Sequence, residues 1–231
     1  IWGFGRNYSR FFSFEMPNLK TVNVGNNVKS IGEYAFTGCS SLTVANIPNG
    51  ITSIGEAAFG GCSSLTAINI PDSLTSISNG VFGNCSSLTY ITIPNTVTSI
   101  GESAFTGCSS LKSITIGTNV TDIGRFAFAE CPSLDSIVWN AKKLQDDSHA
   151  GEKIFNSLSV PLSVTSITFG DSVEHIPSGM CAGMPNLTSV SMGNNVKIIG
   201  HGAFFDCTFL ESLPISESVE IIGGQAFQGC H

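Results

Sequence analysis

Ala35-Phe36-Thr37-Gly38-Cys39-Ser40-Ser41-Leu42 is the stretch that decides the fold, because near-copies of it follow along the chain. The copies occupy residues 58–65, 81–88 and 104–111, so each lies 23 residues after the one before. A fixed period of this length is typical of a solenoid, in which each unit stacks on the next and cannot bury its apolar face alone.

Two columns of the repeat show how far the period reaches. The leucine column marks the start of nine predicted rungs, numbered 1 to 9: Leu19, Leu42, Leu65, Leu88, Leu111, Leu134, Val164, Leu187 and Leu210. The phenylalanine column reads Phe36, Phe59, Phe82, Phe105, Phe128, Leu158, Cys181, Phe204 and Phe227. Both columns keep the 23-residue step except in rung 6, where the step is 30. We therefore predict a solenoid over residues 19–231 with a seven-residue insertion near 141–153, and the charges there lead us to expect a loop that points outward.

Each rung begins with a short strand. In rung 4, Leu88, Ile91 and Ile93 are apolar, whereas Tyr90 and Thr92 alternate with them and are predicted to face outward. A residue that favours turns ends this strand: Gly25, Pro48, Pro71, Pro94, Gly117, Gly170 or Gly193. A second extended piece follows, such as 97–101, with Val97 and Ile100 as its inward residues.

A short turn completes each rung, and we predict one helical or 3₁₀ turn over residues 102–106 and their equivalents, because an acidic residue such as Glu102 suits a helix start. Residues that tolerate positive φ end this turn. They are Gly38, Gly61, Asn84, Gly107, Gly183, Asp206 and Gly229. Glu130 stands in the same column, so we predict backbone strain or a local change at Glu130.

Composition excludes several function classes. Charged residues make up 12% of the chain, the formal net charge is −7, and the ten Lys and Arg residues form no cluster, which argues against binding to nucleic acid or to anionic membranes. No run of 18 apolar residues is present, so no membrane insertion is predicted. The chain starts at Ile1 without Met and stops inside a further repeat copy at His231, and we interpret the sequence as a fragment of a longer protein.

The first 18 residues depart from the repeat. Their aromatic residues are Trp2, Phe4, Tyr8, Phe11, Phe12 and Phe14. An atypical end unit of this kind usually covers the first rung of a solenoid, so we predict that residues 1–18 form an N-terminal cap; an aromatic ligand patch is the alternative.

Seven of the eight cysteines stand in one column, where other rungs carry Met16, Pro161 and Met184. Five consecutive rungs carry a thiol, and parallel side chains along a ladder point the same way instead of at one another. We therefore predict reduced, buried thiols that act as small apolar fillers.

No catalytic or metal motif is found, and we predict a non-enzymatic protein without a cofactor. His149, His175, His201 and His231 fall on separate rungs, and none has a partner at the spacing of a known motif. The acidic residues and His149 within 146–152 are close enough in sequence to bind a cation. A solvated loop is the favoured interpretation, because a metal site needs fixed geometry.

The repeat closely resembles the BspA-type leucine-rich repeat, whose pattern combines an L-T-x-I-x-I-P strand, a V-T-x-I-G turn and an A-F-x-G-C-x-x-L segment. The resemblance covers residues 36–127 almost throughout and 128–231 with substitutions. It implies a right-handed leucine-rich-repeat solenoid. It also implies a secreted or cell-surface location and a role in adhesion and protein recognition, since such repeats occur in surface proteins of host-associated bacteria and some protists.

Function is therefore expected on the outward strand face, whose residues are small, neutral and rich in hydroxyls. The predicted binding residues are Val44, Asn46, Asn69, Tyr90, Thr92, Ser113, Thr115 and Val138. The leading hypothesis is a protein-binding, adhesin-like domain that recognises a host or matrix protein. The alternatives are a passive spacer and, with less support because this face carries no aromatic residue besides Tyr90 and no paired carboxylates, a glycan-binding module.

Overall fold

A computed structural model describes residues 16–144, 150–155 and 163–231. These residues form a β-solenoid of short parallel strands, as predicted. The strands are β1 (Thr21–Asn23), β2 (Ser30–Ile31), β3 (Val44–Asn46), β4 (Ser53–Ile54), β5 (Ser76–Ile77), β6 (Tyr90–Thr92), β7 (Ser99–Ile100), β8 (Ser113–Ile116), β9 (Asp122–Ile123), β10 (Ser136–Trp139), β11 (Ser166–Phe169), β12 (His175–Ile176), β13 (Ser189–Met192), β14 (Ile198–Ile199) and β15 (Ile221–Ile222). A helix, α1 (Ala150–Phe155), lies between β10 and β11.

The strands form two columns, one from each extended piece of the repeat. The first column contains the pair β1-β3 and the five-stranded sheet β6-β8-β10-β11-β13. The second contains β2-β4, β5-β7-β9 and β12-β14-β15. Neighbouring strands are aligned one period apart, as in Tyr90 with Ser113, and Ser136 is aligned with Ser166, 30 residues on. The strand register therefore confirms both the period and its break in rung 6.

Aromatic rings and thiols fill the interior. From Phe36 to Phe128, rings of successive rungs stack with centroids 5.1–5.7 Å apart. All eight cysteines are free thiols, and all but Cys230 are buried. Five of the buried thiols, those of Cys62, Cys85, Cys108, Cys131 and Cys207, also donate to a carbonyl where the chain turns; for example, Cys85 Sγ donates to the carbonyl of Phe59 at 3.3 Å. The thiols are thus apolar fillers that also add a second hydrogen bond to turn carbonyls, since each of these oxygens already accepts an amide, as the Phe59 carbonyl does from Cys62.

The turn after the second strand is not helical, which corrects the predicted helical or 3₁₀ turn. Single i→i+3 bonds are present, such as Thr106 N–H to the Ser103 carbonyl. The neighbouring amides bond to the next rung instead: Ser103 to Arg125, Phe105 to Ala127, and Gly107 to Ala129. Residues in the left-handed region prevent the turns from joining into a helix, because a helix needs consecutive right-handed residues.

Two columns of positive φ shape this turn. The predicted column is confirmed, including Glu130 at φ 56°, so Glu130 carries the backbone strain that its position indicated. The second column was not predicted: Tyr34, Ala57, Gly80, Ser103, Phe126, Gly179, Gly202 and Gln225. Only three of these are glycine, so residue type gave no signal for the second column.

The insertion shifts the phenylalanine column, and the predicted assignment of Leu158 was wrong. Phe155, in α1, contacts Phe128 with ring centroids 6.4 Å apart. Phe128 N–H donates to the carbonyl of Ile154, as Phe105 N–H does to Ala127 one rung earlier. Phe155 therefore takes the position assigned to Leu158. Leu158 and Pro161 both lie outside the described residues.

The described ends of the insertion pack inward, which corrects the expected outward course for these residues. Ala141, Leu144 and Ala150 are buried in the core. The charges stay at the surface, where Lys142 Nζ lies 3.0 Å from Glu174 Oε1. Residues 145–149, including the predicted cation-binding candidates there, lie outside the described residues, as do residues 1–15 of the predicted cap.

Candidate binding groove on the strand face

All eight predicted binding residues lie on the outward face of the first strand column. Tyr90 is 55% exposed and Val44 is 42% exposed, and Asn46, Asn69 and Thr92 are also exposed. Ser113, Thr115 and Val138 are half-buried. The alternation of the strand pattern therefore placed these side chains on the intended face.

Five of these residues come together around one groove, and three do not. Val44, Asn46, Asn69, Tyr90 and Thr92 border a groove of about 610 Å³ that crosses rungs 1 to 4. Its lining contains no charged residue. Ser113, Thr115 and Val138 instead belong to the continuous sheet formed by β6, β8 and β10. The groove is thus a local feature of the face and not a property of every rung.

The groove lies where the strand ladder is interrupted. Residues 67–69 of rung 3 form no strand, although residues in the same place form β3 in rung 2 and β6 in rung 4. None of the N–H groups of residues 66–70 donates a hydrogen bond within the described part of the chain, and of their carbonyls only that of Thr66 accepts one from the backbone, from Thr89. Most buried or half-buried backbone groups are paired in proteins, so this rung is exceptional. We call the gap on the two sides of residues 66–70 the rung-3 opening.

The residue that ends the first strand, here called the strand-end slot, explains the rung-3 opening. At every paired junction of this column at least one of the two slots holds glycine, as in Gly117 against Pro94. The strand-end slots of neighbouring rungs lie close together, because a Cβ built on Gly117 would lie 2.4 Å from the Pro94 carbonyl oxygen. Rung 3 instead places Pro71 against Pro48 on one side and against Pro94 on the other. Two prolines cannot approach so closely, and Pro lacks the N–H that Gly193 donates to Phe169.

The residue that follows the second strand forms a second slot, and it affects strand pairing in the second column in a similar way. Glycine follows the second strand in most rungs, and a Cβ on Gly55, Gly101 or Gly124 would lie 2.4–2.6 Å from the backbone of the preceding rung. Rung 3 carries Ser78 there, and β4 and β5 are not paired. The Ser78 hydroxyl donates to the Ile54 carbonyl in place of a backbone N–H. The backbone ladder between rungs 2 and 3 is therefore missing in both columns, and Ser78 was the sequence signal that motif reasoning missed.

Unpaired strands at the far end of the column have a different cause. Residues 212–215 form no strand beside β13. Here Pro214 lies within the strand segment itself, where it removes a ladder donor. The large apolar residues exposed in or next to rung 9 include Phe209, Ile215 and Ile221.

A second concavity, of about 480 Å³, lies on the turn face of rungs 1 to 4. Gly60, Gly80 and Gly83 form part of its lining, where other rungs carry larger side chains. Tyr34 closes one end and donates its hydroxyl hydrogen bond to Glu56 at 3.0 Å. Small residues remove side-chain volume here without presenting a converging set of polar groups.

The ionisable groups of the interior are thiols held in the neutral form. Burial raises the pKa of Cys62, Cys131 and Cys207 to about 12, and neighbouring thiols and carboxylates add to the rise for these groups. A reactive cysteine needs a lowered pKa, so these thiols are not activated nucleophiles. Within the described ranges, no three His, Cys, Asp or Glu residues are grouped closely enough to hold a metal ion.

The described residues also contain no helix long and apolar enough to cross a lipid bilayer.

Comparison with known proteins agrees with this architecture. The sequence model of the BspA type leucine rich repeat region matches six copies, over residues 8–135, 75–208 and 142–231. A leucine rich repeat protein of T. pallidum shares 26% identity, with 83% of this chain and 82% of that chain covered and a TM-score of 0.51. No curated protein matches the chain.

Two further solved structures share the repeat class. A leucine-rich repeat protein from Bacteroides ovatus is 24% identical, covers 92% of this chain and 85% of its own, and has a TM-score of 0.49. A leucine rich cell surface protein from Faecalibacterium prausnitzii is 26% identical, covers 92% and 71%, and has a TM-score of 0.45. The 23-residue repeat, the parallel strand columns and the match over most of the chain lead to one conclusion: this chain belongs to the BspA-type leucine-rich repeat family.

Proposed function

We propose that this chain is a non-enzymatic, protein-binding repeat domain of a secreted or cell-surface adhesin-like protein. The observation that carries the proposal is the groove of rungs 1 to 4, which five outward strand residues border. Repeat solenoids commonly use an extended strand face for binding, and family membership supports a scaffold that presents a surface.

Tyr90 is the residue expected to contribute most to binding. It is exposed at the edge of the groove, and tyrosine is among the residues enriched at interface hot spots. Val44 adds a second exposed apolar side chain at the same groove. The remaining lining is small and neutral, which suits a partner surface that needs no opposite charge.

Biolayer interferometry against a panel of matrix and host-surface proteins tests the proposal. At about 10 μM protein, a micromolar complex is detected, and Tyr90→Ala is expected to weaken it about tenfold or more. Thr168→Ala is the matched control, because Thr168 is exposed on the same face in β11 but lies outside the groove. Equal loss in both variants, or no binding to any panel protein, would contradict the proposal; the second result would favour a passive spacer.

A further inference from the structure

The chain contains two Asn-Gly dipeptides, and the fold holds them in different ways. Asn49-Gly50 lies in the turn after β3, and Asn79-Gly80 lies in the turn after β5. In an Asn-Gly dipeptide the backbone nitrogen of glycine can reach the side-chain amide of asparagine, because glycine has no Cβ to hinder the approach. Both asparagines are exposed, so exposure does not distinguish their reactivity.

Hydrogen bonds to rung 4 hold both reacting groups of Asn79-Gly80. Gly80 N–H donates to the Glu102 carbonyl at 2.9 Å. Asn79 Oδ1 accepts from Glu102 N–H, also at 2.9 Å. For the Gly80 nitrogen to attack the Asn79 side chain, both bonds must break, and the cost of breaking them slows the reaction. The neighbouring rung therefore protects this dipeptide.

The corresponding groups of Asn49-Gly50 are not held in this way. Ile51 N–H donates to the Pro48 carbonyl at 3.2 Å, so Asn49 and Gly50 are the two central residues of a tight turn. Within the residues that the structure describes, Gly50 N–H donates no hydrogen bond and the Asn49 side chain makes none. The nitrogen and the side-chain amide that must meet are therefore both available.

The missing ladder between rungs 2 and 3 explains why the Asn49 side chain is free. At the junction of rungs 4 and 5, the asparagine in the same column, Asn95, accepts through its Oδ1 from Thr118 N–H at 2.9 Å. The matching donor for Asn49 is Asp72, one period later, and Asp72 N–H donates no hydrogen bond within the described part of the chain. Asp72 follows Pro71, where the two rungs form no strand ladder.

The charges around the two dipeptides have opposite signs. Lys29 Nζ lies 3.8 Å from the position of a Cβ built on Gly50. Glu56 and Glu102 instead border the turn-face concavity together with Gly80. The glycine nitrogen attacks after it loses its proton, and a nearby cation favours the resulting anion whereas carboxylates disfavour it. Electrostatics therefore act in the same direction as hydrogen bonding.

We propose that Asn49 is a modification site at which the chain deamidates itself with water as the only co-reactant, whereas Asn79 is protected in the folded protein. The Gly50 nitrogen forms a bond to Asn49 Cγ as the bond from Cγ to Nδ2 breaks. The amide proton of Gly50 reaches the leaving nitrogen through solvent, and ammonia departs and leaves a succinimide ring. Water then opens the ring at either carbonyl, which gives aspartate or isoaspartate without any change in oxidation state.

Deamidation adds a negative charge at the border of the groove. Pro48, next to Asn49, lines the groove, and no lining residue is charged. Each conversion replaces a neutral amide with a carboxylate and makes the formal net charge one unit more negative than −7. Isoaspartate also lengthens the backbone of the turn by one CH₂ group. The reaction needs no partner, so this modification is independent of the proposed function.

Incubation of the wild-type protein in mildly alkaline buffer, followed by peptide mass spectrometry, tests the proposal. Peptides 34–56 and 57–102, released by a glutamate-specific protease, each carry one Asn-Gly dipeptide. We expect aspartate and isoaspartate to form at Asn49 at least about tenfold faster than at Asn79, because two hydrogen bonds are lost before Asn79 reacts. Equal rates, or a faster reaction at Asn79, would overturn the proposal.

Unfolding in urea separates the effect of structure from that of sequence. The hydrogen bonds of Asn79 and Gly80 are lost in the unfolded chain, so the two dipeptides are expected to react at similar rates there. A preference for Asn49 that persisted in urea would refute the structural cause. Asn49→Gln lengthens the side chain by one CH₂ group and is expected to abolish modification of peptide 34–56; continued modification would place the site at Asn46 instead.

Lys29→Gln tests the electrostatic contribution. Loss of the charge is expected to slow deamidation at Asn49 about twofold, since a single charge at this distance acts weakly in water. Lys20→Gln is the matched control, because Lys20 belongs to the same rung but lies more than 4 Å from the Cβ position of Gly50. Equal rates in the two variants would overturn the role given to Lys29.

Discussion

Rung 3 and the five rungs that contribute to the sheet β6-β8-β10-β11-β13 have the same strand pattern but different pairing. Ile68 and Ile70 are buried in rung 3 just as Ile91 and Ile93 are in rung 4. Yet rung 4 joins the continuous sheet through β6, and residues 66–70 pair with neither neighbouring rung by a strand ladder. The alternating residues of a strand therefore decide which side chains are buried. The residues that end the strands decide how closely the rungs approach.

The difference in pairing distinguishes a sheet whose backbone groups stabilise the fold from a rung whose backbone groups are left available for recognition. The continuous sheet uses its backbone groups internally and presents a flat face of half-buried small residues such as Ser113 and Thr115. The interrupted rung keeps its buried side chains but leaves its backbone available. Three expected effects test this contrast, beginning with one that acts on both regions together.

The largest expected effect is that of alkaline pH, because the thiol column runs through both regions. Burial raises the pKa of Cys62, Cys131 and Cys207 to about 12, whereas an unfolded thiol titrates near 8.5. The folded protein thus holds these protons more tightly, so the stability they give is complete below about pH 8.5 and is lost as the pH rises toward 12. We expect a loss of up to about 1.4 kcal/mol per pH unit for each thiol that ionises only on unfolding.

Urea unfolding between pH 7 and pH 10 measures this loss. Cys85 is fully buried, and burial raises its pKa as well. The Cys85→Ala variant has one thiol fewer, so its free energy of unfolding is expected to decline less steeply with pH than that of the wild type. Identical slopes for the two proteins would show that the buried thiols are not the groups responsible.

Truncation of the ring ladder tests the paired region. Phe105 is fully buried and stacks between Phe82 and Phe128 at 5.4 and 5.1 Å. Phe105→Ala is expected to lower the free energy of unfolding by about 3–5 kcal/mol, because it removes apolar contacts and leaves a cavity. Chemical denaturation measures the change. Phe209→Ala makes the same chemical change at a side chain that is 60% exposed and should stay within about 0.5 kcal/mol of the wild type.

Transfer of the rung-3 feature into a paired junction tests its cause. In Gly124→Ser, the new Cβ would lie 2.4 Å from the backbone nitrogen of Glu102. We expect β7 and β9 to separate, at a cost of about 1–3 kcal/mol for the forced shift, with faster amide exchange at residues 122 and 124, whose N–H groups donate to Thr98 and Ile100. Unchanged exchange in Gly124→Ser would refute the steric explanation of the opening.

Much of the fold followed from the sequence, and the errors fall where local pattern was a poor guide. The register, the buried columns and the positive φ of Glu130 all follow from one period, because identical residues one period apart lie above each other. The turn after the second strand was mispredicted because its amides bond to the next rung, which no local preference of residues 102–106 reveals. The start of the insertion was mispredicted to point outward because Ala141 and Leu144, among the charged residues, are apolar enough to be buried.

The sequence by itself determined the period, the buried side chains of the strands and the face on which the eight predicted binding residues lie, since alternation and repetition can be read from the order of residues alone. Only the tertiary structure decided that five of those residues surround a groove and that Phe155 replaces Leu158 in the ring ladder. The physical reason is that pairing depends on two rungs together. Pro71 is an ordinary strand end until Pro48 and Pro94 lie on either side of it.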